Sequence, residues 1–140
     1  MTKRTRVPAD ADVGSRGLPP DTSCLVVAES RETTDSLHDY LTKVGICTRT
    51  ERTLDDAVLL SGQFKIILLF PDDFSQSELR GFEHAVCKQQ PSALMVLVTS
   101  NPVRVRLTLQ EAGRAAAPII LVKPAFGWTI IDTIRANLPR

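Results

Sequence analysis

Short apolar runs alternate with amphipathic stretches along the chain from residue 23 onward. Five of the runs have the length of strands and cover residues 24–28, 46–50, 65–70, 94–99 and 118–123. Four are strongly apolar, as expected of strands covered on both faces of a parallel sheet. The second run alternates and contains Arg49, so we place it at a sheet edge. The pattern predicts a parallel sheet whose strands are joined by helical crossovers.

Three of the connecting stretches carry clear helix signals. The first has apolar residues at helical spacing before Gly45, which is a typical stop. The second begins after Thr53, and the third after Ser75 with Glu78 three residues later, which is the signature of a capping box. A last helix is predicted to begin near residue 127. Together with the stretch after residue 101, they supply one helix for each crossover and one after the last strand.

The stretch after residue 101 is ambiguous, because apolar residues recur at every second position from Val103 to Leu109 and alone predict a strand. A crossover is nevertheless required between two parallel strands, and Pro102 suits the first turn of a helix. We therefore predict a helix with two apolar stripes, Val103 with Leu107 and Val105 with Leu109. Either part of this wide face remains uncovered and binds a partner, or the helix is buried more deeply than usual.

The first 22 residues differ from the rest in composition. They mix basic and acidic residues with three prolines and two glycines, and contain almost no large apolar residue. Such a segment buries too little surface to offset its ordering entropy. We predict a disordered arm over residues 1–22 and a single domain over residues 23–140.

Charge and cysteine content exclude several classes of function. A net charge of +1 gives no concentrated basic face, so nucleic acid is not an expected partner. The three cysteines are far apart in sequence, which favours reduced thiols over a disulfide framework or a zinc site. No apolar run approaches the roughly 20 residues of a membrane helix. We expect a cytoplasmic protein that contacts no membrane and needs no cofactor.

Two of the apolar runs end in residues with recognisable chemistry, Thr99 in one case and Lys123-Pro124 in the other. With five βα units in the chain after residue 22, these residues resemble the receiver domains of bacterial response regulators. The resemblance implies an α/β fold of the flavodoxin-like type, a single (βα)5 domain with strand order 2-1-3-4-5. In such sheets the functional site lies at the carboxyl ends of the strands, beside the first strand.

In a working receiver these strand ends hold an acidic pair, a phosphate-accepting Asp, a Thr or Ser, and a Lys followed by Pro. The resemblance assigns Ala28 and Glu29 to the acidic pair, so one acid is lost, and Phe70 to the acceptor position. Thr99 and Lys123 match the hydroxyl and the ammonium that bind the phosphoryl group, and the bond before Pro124 is implied to be cis. Phe cannot accept a phosphoryl group, which indicates a degenerate receiver.

One alternative keeps the phosphorylation chemistry. If the third strand is longer or its end is reshaped, Asp72 reaches the pocket and becomes the acceptor, with Mg²⁺ held by Glu29 and Asp72. Without phosphorylation, Lys123 is expected to form a salt bridge with Glu29 or Asp72, or to leave a residual anion site. A third reading is a flavodoxin-like binder of a small anion or nucleotide.

We interpret the sequence as a degenerate receiver that is not an enzyme and that acts through protein contacts. No glycine-rich phosphate loop or HExxH motif is present in the sequence, which also argues against an ordinary enzyme. The predicted contact face comprises Val105, Arg106, Leu109, Ile120 and Trp128. Expected partners are another signalling protein or an output domain of the same chain, with a homodimer as a further option.

Overall fold

A five-stranded parallel sheet with strand order β2-β1-β3-β4-β5 forms the centre of the molecule. The computed structural model describes residues 18, 21–90, 92–109 and 118–138. The strands are β1 (Ser23–Val27), β2 (Cys47–Glu51), β3 (Ile66–Leu69), β4 (Leu94–Thr99) and β5 (Ile119–Val122). The predicted fold and strand order are confirmed, including the edge position of β2.

Five helices connect or follow these strands, at the places that the sequence predicts. They are α1 (Arg31–Lys43), α2 (Leu54–Leu60), α3 (Gln76–Gln89), α4 (Pro102–Leu109) and α5 (Gly127–Asn137). Thr53 and Ser75 cap α2 and α3 through their side chains, and Ser75 forms the predicted capping box with Glu78. A 3₁₀ turn, Pro71–Asp73, separates β3 from α3 and bears on the site described below.

Alternating strand residues point to opposite faces of the sheet and pack into two separate cores. The α2–α3 core contains Leu25, Val27, Ile67 and Leu69 of the strands with Leu79, Phe82 and Val86 of α3. The α1–α5 core contains Val26, Ala28, Leu68 and Phe70 with Leu37 and Leu41 of α1 and Ile130 and Ile134 of α5. Burial on both faces explains why β1, β3 and β4 are apolar except at Ser23 and Thr99, at the ends of two of the strands.

The ambiguous stretch is a helix, as the crossover argument predicts. Its inward side is formed by Val105 and Thr108, which are three residues apart and both buried. Val103 and Leu107 lie on another side and are 62% and 65% exposed. The predicted stripe of Val103 and Leu107 therefore remains uncovered. Both predicted stripes have the same helical spacing, so the rotation of the helix against the sheet decides which one is exposed.

The end of the predicted N-terminal arm contacts the domain. Leu18 packs against the α1–α5 core, and the Asp21 carboxylate forms a salt bridge with the Lys65 ammonium. The carbonyl of the buried Thr22 accepts a hydrogen bond from the amide of Cys47, 3.1 Å away. The rest of the predicted arm lies outside the described residues. Within the described ranges, no helix is both long and apolar enough to cross a membrane.

Candidate functional site

The register of the sheet brings the carboxyl ends of four strands together. Val27 of β1 lies beside Leu69 of β3, so the next residues, Ala28 and Phe70, follow at the same level. The Phe70 amide continues the ladder by donating to the Val27 carbonyl at 2.9 Å. On the other side, the Lys123 amide donates to the Thr99 carbonyl at 2.9 Å, just past β5. These positions are the ones that the sequence assigns to the site.

Phe70 is a core residue at the position where the resemblance implies an acceptor. Its side chain is buried in the α1–α5 core, with which Ala28 also packs. The Lys123 Nζ atom lies 6.0 Å from the centroid of the Phe70 ring. The Lys123–Pro124 peptide bond is cis, as the resemblance implies. The side chain at this position beside the Lys123 ammonium is therefore an aromatic ring and not a carboxylate.

The Asp72 carboxylate forms a salt bridge with the Lys123 ammonium. The 3₁₀ turn after Phe70 turns the chain so that Asp72 faces the ends of β4 and β5. Its carboxylate accepts a hydrogen bond from the Thr99 hydroxyl, and two from Ser100, from the amide at 2.9 Å and the hydroxyl at 3.0 Å. The Lys123 Nζ atom lies 3.3 Å from Oδ2 of the same carboxylate. Of the expected salt bridges of Lys123, the one with Asp72 is present.

This environment keeps the Asp72 carboxyl ionised. Partial burial raises its pKa, because the charged form loses solvation. The hydrogen bonds from Thr99 and Ser100 and the interaction with Lys123 outweigh burial and lower the pKa of Asp72 to about 2. The Asp72 carboxylate is therefore an anion at physiological pH, and Thr99, Ser100 and Lys123 donate to it.

The neighbouring Asp73 turns to the opposite side of the site. Its Oδ2 atom accepts a hydrogen bond from the Glu29 amide at 2.9 Å, so it is tied to the end of β1. The carbonyl of Glu29 accepts from Arg52 Nε at 2.8 Å, and Glu29 itself is exposed. No three His, Cys, Asp or Glu residues in the described ranges are grouped so that they could hold a metal ion.

Hydrogen bonds connect the pocket to the first turn of α4. The Thr99 hydroxyl, which donates to Asp72, accepts from the Asn101 amide at 3.0 Å. The Asn101 side chain in turn caps α4 by accepting from the Arg104 amide at 3.1 Å. The Arg104 guanidinium donates to the Phe74 carbonyl at 3.1 Å. Phe74 directly follows the 3₁₀ turn that contains Asp72, so this bond connects α4 with that turn.

Ser100, Asn101 and Asp73 were not identified from the sequence. The first two directly follow Thr99, so their position after a buried strand was the available signal. We call the group formed by Phe70, Asp72, Thr99, Ser100 and Lys123 the strand-end pocket.

The predicted contact face needs correction. Val105 is fully buried, because it lies on the side of α4 that packs against the α2–α3 core, and Ile120 is half-buried against the same core. Arg106 is exposed and Trp128 is 60% exposed. The side chain of Leu109 falls outside the described part of the chain. Neither Val105 nor Ile120 is available as a principal contact for a partner.

Other apolar residues on the β5 side of the sheet are exposed instead. Besides Trp128, we define the β5-side surface by four residues with more than half of their area exposed: Val103, Leu107, Val122 and Phe126. The rings of Phe126 and Trp128 are stacked, with centroids 6.1 Å apart and planes 8° apart. Exposed aromatic pairs of this kind are frequent anchors in protein interfaces.

A groove of about 680 Å³ lies between α1 and the segment that joins β5 to α5. Phe70, Lys123, Phe126 and Glu32 are among the residues that line it. The Lys123 ammonium is already paired with Asp72, and Glu32 adds a negative charge. The described residues that line the groove therefore offer no free cation to an anionic ligand.

Several solved structures with a similar architecture are described as response regulators or CheY-like proteins. The chemotaxis protein CheY4 of Vibrio cholerae is 18% identical, over 84% of this chain and 98% of its own, with a TM-score of 0.70. A response regulator from Burkholderia pseudomallei, solved with a phosphorylated aspartic acid and a calcium ion, is 20% identical over 83% of this chain and 69% of its own, with a TM-score of 0.67.

An orphan response regulator of H. pylori is 14% identical over 86% of this chain and 98% of its own, with a TM-score of 0.68. No protein-family model matches the sequence, and no curated protein matches it. The similarity is therefore one of three-dimensional structure. The chain has the flavodoxin-like fold of CheY-like response regulator receiver domains.

Proposed function

We propose that this protein is a degenerate receiver module that is not phosphorylated, catalyses no reaction and acts in signalling through protein contacts. The observation that carries the proposal is the state of the strand-end pocket. Phe70 stands at the acceptor position, and the donors implied to bind a phosphoryl group already hold the Asp72 carboxylate. The pocket is thus filled by the chain itself.

The chemistry of phosphoryl transfer supports this conclusion. A carboxylate that accepts a phosphoryl group needs a free oxygen and a metal ion or other cation to neutralise the charge on the transferred group. Asp72 shares its two oxygens among Thr99, Ser100 and Lys123. Ala28 contributes no metal ligand where the resemblance implies an acid. Phosphorylation of Asp72 would require the carboxylate to withdraw from donors that stabilise its charge.

A second candidate function is phosphorylation on Asp72 in the presence of Mg²⁺. It is favoured by one observation, since Asp72 is the carboxylate that contacts both Thr99 and Lys123. The structure brings these three residues together, as the alternative requires. Glu29 would then have to supply a metal ligand from its exposed position.

Intact mass spectrometry after incubation with acetyl phosphate and Mg²⁺ separates the two candidates. We expect no gain of mass, because neither Phe70 nor the engaged Asp72 accepts the group. A receiver with a known acceptor, treated in the same mixture, serves as the positive control. Stoichiometric gain of one phosphoryl group by the wild type, and not by Asp72→Asn, would overturn our proposal and establish the second candidate.

The contact part of the proposal is supported by the β5-side surface. Val122, Phe126 and Trp128 expose apolar area that the fold itself does not cover. We propose another signalling protein or an output domain of the same chain as the partner. Replacing Trp128 by Ser should weaken such a complex strongly, while Leu59→Ser, at a leucine on α2 that is also more than half exposed, serves as the matched control.

A third function, binding of a small anion or nucleotide, receives no support from the groove beside Lys123. Trp128 lies close in sequence to Phe126 and Gly127, which line this groove, so its fluorescence reports on occupancy. We expect nucleotides and Mg²⁺ to leave the emission unchanged. A saturable change on titration would favour the binder over the signalling module.

A further inference from the structure

Donors from two strand ends converge on the Asp72 carboxylate. Thr99 contributes a hydroxyl, Ser100 an amide and a hydroxyl, and Lys123 an ammonium group. Asp72 itself comes from a third strand end, through the turn after β3. A hydroxyl, a backbone amide and an ammonium that point at one place are the groups with which proteins bind an oxyanion.

We propose that the Asp72 carboxylate is a tethered anion which permanently occupies an oxyanion site formed by Thr99, Ser100 and Lys123, and that it thereby fixes the loop leading into α4. The inference rests on the proposed function, since it takes the site to be filled by the chain rather than by a transferred phosphoryl group. The native ligand class of the site is a carboxylate, supplied internally.

The consequence for α4 follows from the network around Thr99. The hydroxyl that donates to Asp72 also accepts from the Asn101 amide, and Asn101 caps α4 at Arg104. Loss of the carboxylate leaves the Thr99 hydroxyl free to rotate and removes the acceptor of the Ser100 amide. The loop and the first helical turn, which carries the exposed Val103, should then open more often.

The inference predicts that a small anion can replace the tethered one. Asp72→Ala removes the carboxylate and leaves Cβ, so the missing group has the size and charge of formate. Acetate carries an additional methyl group and inorganic phosphate two additional oxygens, so formate, acetate and phosphate test the size of the vacated site. Thr99 and Lys123 stay close to each other in this variant, because β4 pairs with β5 and the Lys123 amide donates to the Thr99 carbonyl.

Amide hydrogen exchange at Ser100 and Arg104, followed by NMR at fixed pH, tests both parts of the proposal. In Asp72→Ala we expect the Ser100 amide to exchange about tenfold faster than in the wild type, because its acceptor is gone. Formate added at constant ionic strength should reverse most of this increase. Asp73→Ala is the matched control, since its carboxylate contacts Glu29 instead, and should leave Ser100 unchanged.

A double variant, Asp72→Ala with Lys123→Gln, removes the cation of the site and should abolish the response to formate. Equal exchange at Ser100 in the wild type and Asp72→Ala would overturn the tethering. Faster exchange that formate, acetate and phosphate all fail to reverse, or that formate reverses equally in the double variant, would overturn the oxyanion site.

If Asp72→Ala does not fold, Asp72→Asn preserves the shape of the side chain and removes its charge. The Ser100 amide should then exchange about threefold faster, because its bond is no longer charge-assisted. Exchange identical to that of the wild type would again contradict the proposal. The measurement is independent of the phosphodonor experiment, in which a mass gain by the wild type would defeat the proposed function itself.

Discussion

The strand-end pocket and the β5-side surface differ in how far the chain itself satisfies or covers their side chains. In the pocket, an aromatic ring is buried at the acceptor position and the nearby carboxylate is bound by the surrounding donors. On the β5 side, apolar residues such as Leu107 and Trp128 expose more than half of their area. The donors at the strand ends are engaged by a carboxylate of the chain itself, whereas the apolar residues on the β5 side remain uncovered.

On the proposed function, this receiver fold has no phosphorylation chemistry but keeps its structure. Phe70 adds core volume at the position where the resemblance implies an acid, and its ring packs in the α1–α5 core. Asp72 then satisfies Lys123 and Thr99, which would otherwise be polar groups without a ligand. On the proposed function, Phe70 and Asp72 account both for the packing of this region and for the absence of phosphorylation.

The largest effect is expected from returning an acid to the acceptor position. Phe70→Asp removes a buried ring and places a second carboxylate near Asp72, so it should lower the free energy of unfolding by about 3–5 kcal/mol. Phe70→Leu keeps an apolar side chain and should cost about 1 kcal/mol. Urea unfolding measures both. An acid tolerated as well as leucine would show that position 70 can hold a carboxylate without loss of stability.

A smaller effect should distinguish the two adjacent aspartates. Asp72→Ala loses hydrogen bonds from two residues and an ion pair, and should lower the free energy of unfolding by about 1–2 kcal/mol. Asp73→Ala loses its hydrogen bond with the Glu29 amide and should cost about 0.5–1 kcal/mol. Chemical denaturation of the two variants under identical conditions provides the comparison. The reverse order would contradict the role assigned to Asp72.

Acid should weaken the pocket in a defined range of pH. Because the pKa of Asp72 is lowered from 3.8 to about 2, its contribution to stability is fully present above about pH 4 and is lost as the pH falls through 2. For this partly exposed group the contribution is on the order of 1 kcal/mol. The difference in unfolding free energy between the wild type and Asp72→Asn should therefore shrink over this range. A difference that stays constant down to pH 2 would contradict the lowered pKa.

The smallest change in stability is expected on the β5-side surface. Leu107→Gln and Trp128→Gln alter side chains that the fold does not cover, so each should change the free energy of unfolding by no more than about 0.5 kcal/mol. Iodide should quench Trp128 readily in the isolated wild-type protein. Strong destabilisation by either variant, or protection of Trp128 from iodide, would show that this surface is covered and would remove the contrast.

Much of the fold was predictable from the sequence, because local patterns carry it. The apolar runs gave the strands, the alternation around Arg49 placed β2 at the edge, and Ser75 with Glu78 marked the start of α3. The position of Phe70 at the end of β3 was also predictable, since a buried strand fixes its own register by hydrophobicity. These features depend on residues that are close to one another in the chain.

Tertiary structure alone decided the partner of Lys123 and the exposed side of α4. Asp72 reaches Lys123 because a three-residue turn after β3 points back across the ends of β4 and β5, and residues distant in sequence supply its donors. On α4, Val105 is buried and Val103 exposed, although the two are chemically identical. Which valine faces the sheet depends on the rotation of the helix against its neighbours, and a pattern of apolar positions does not encode that rotation.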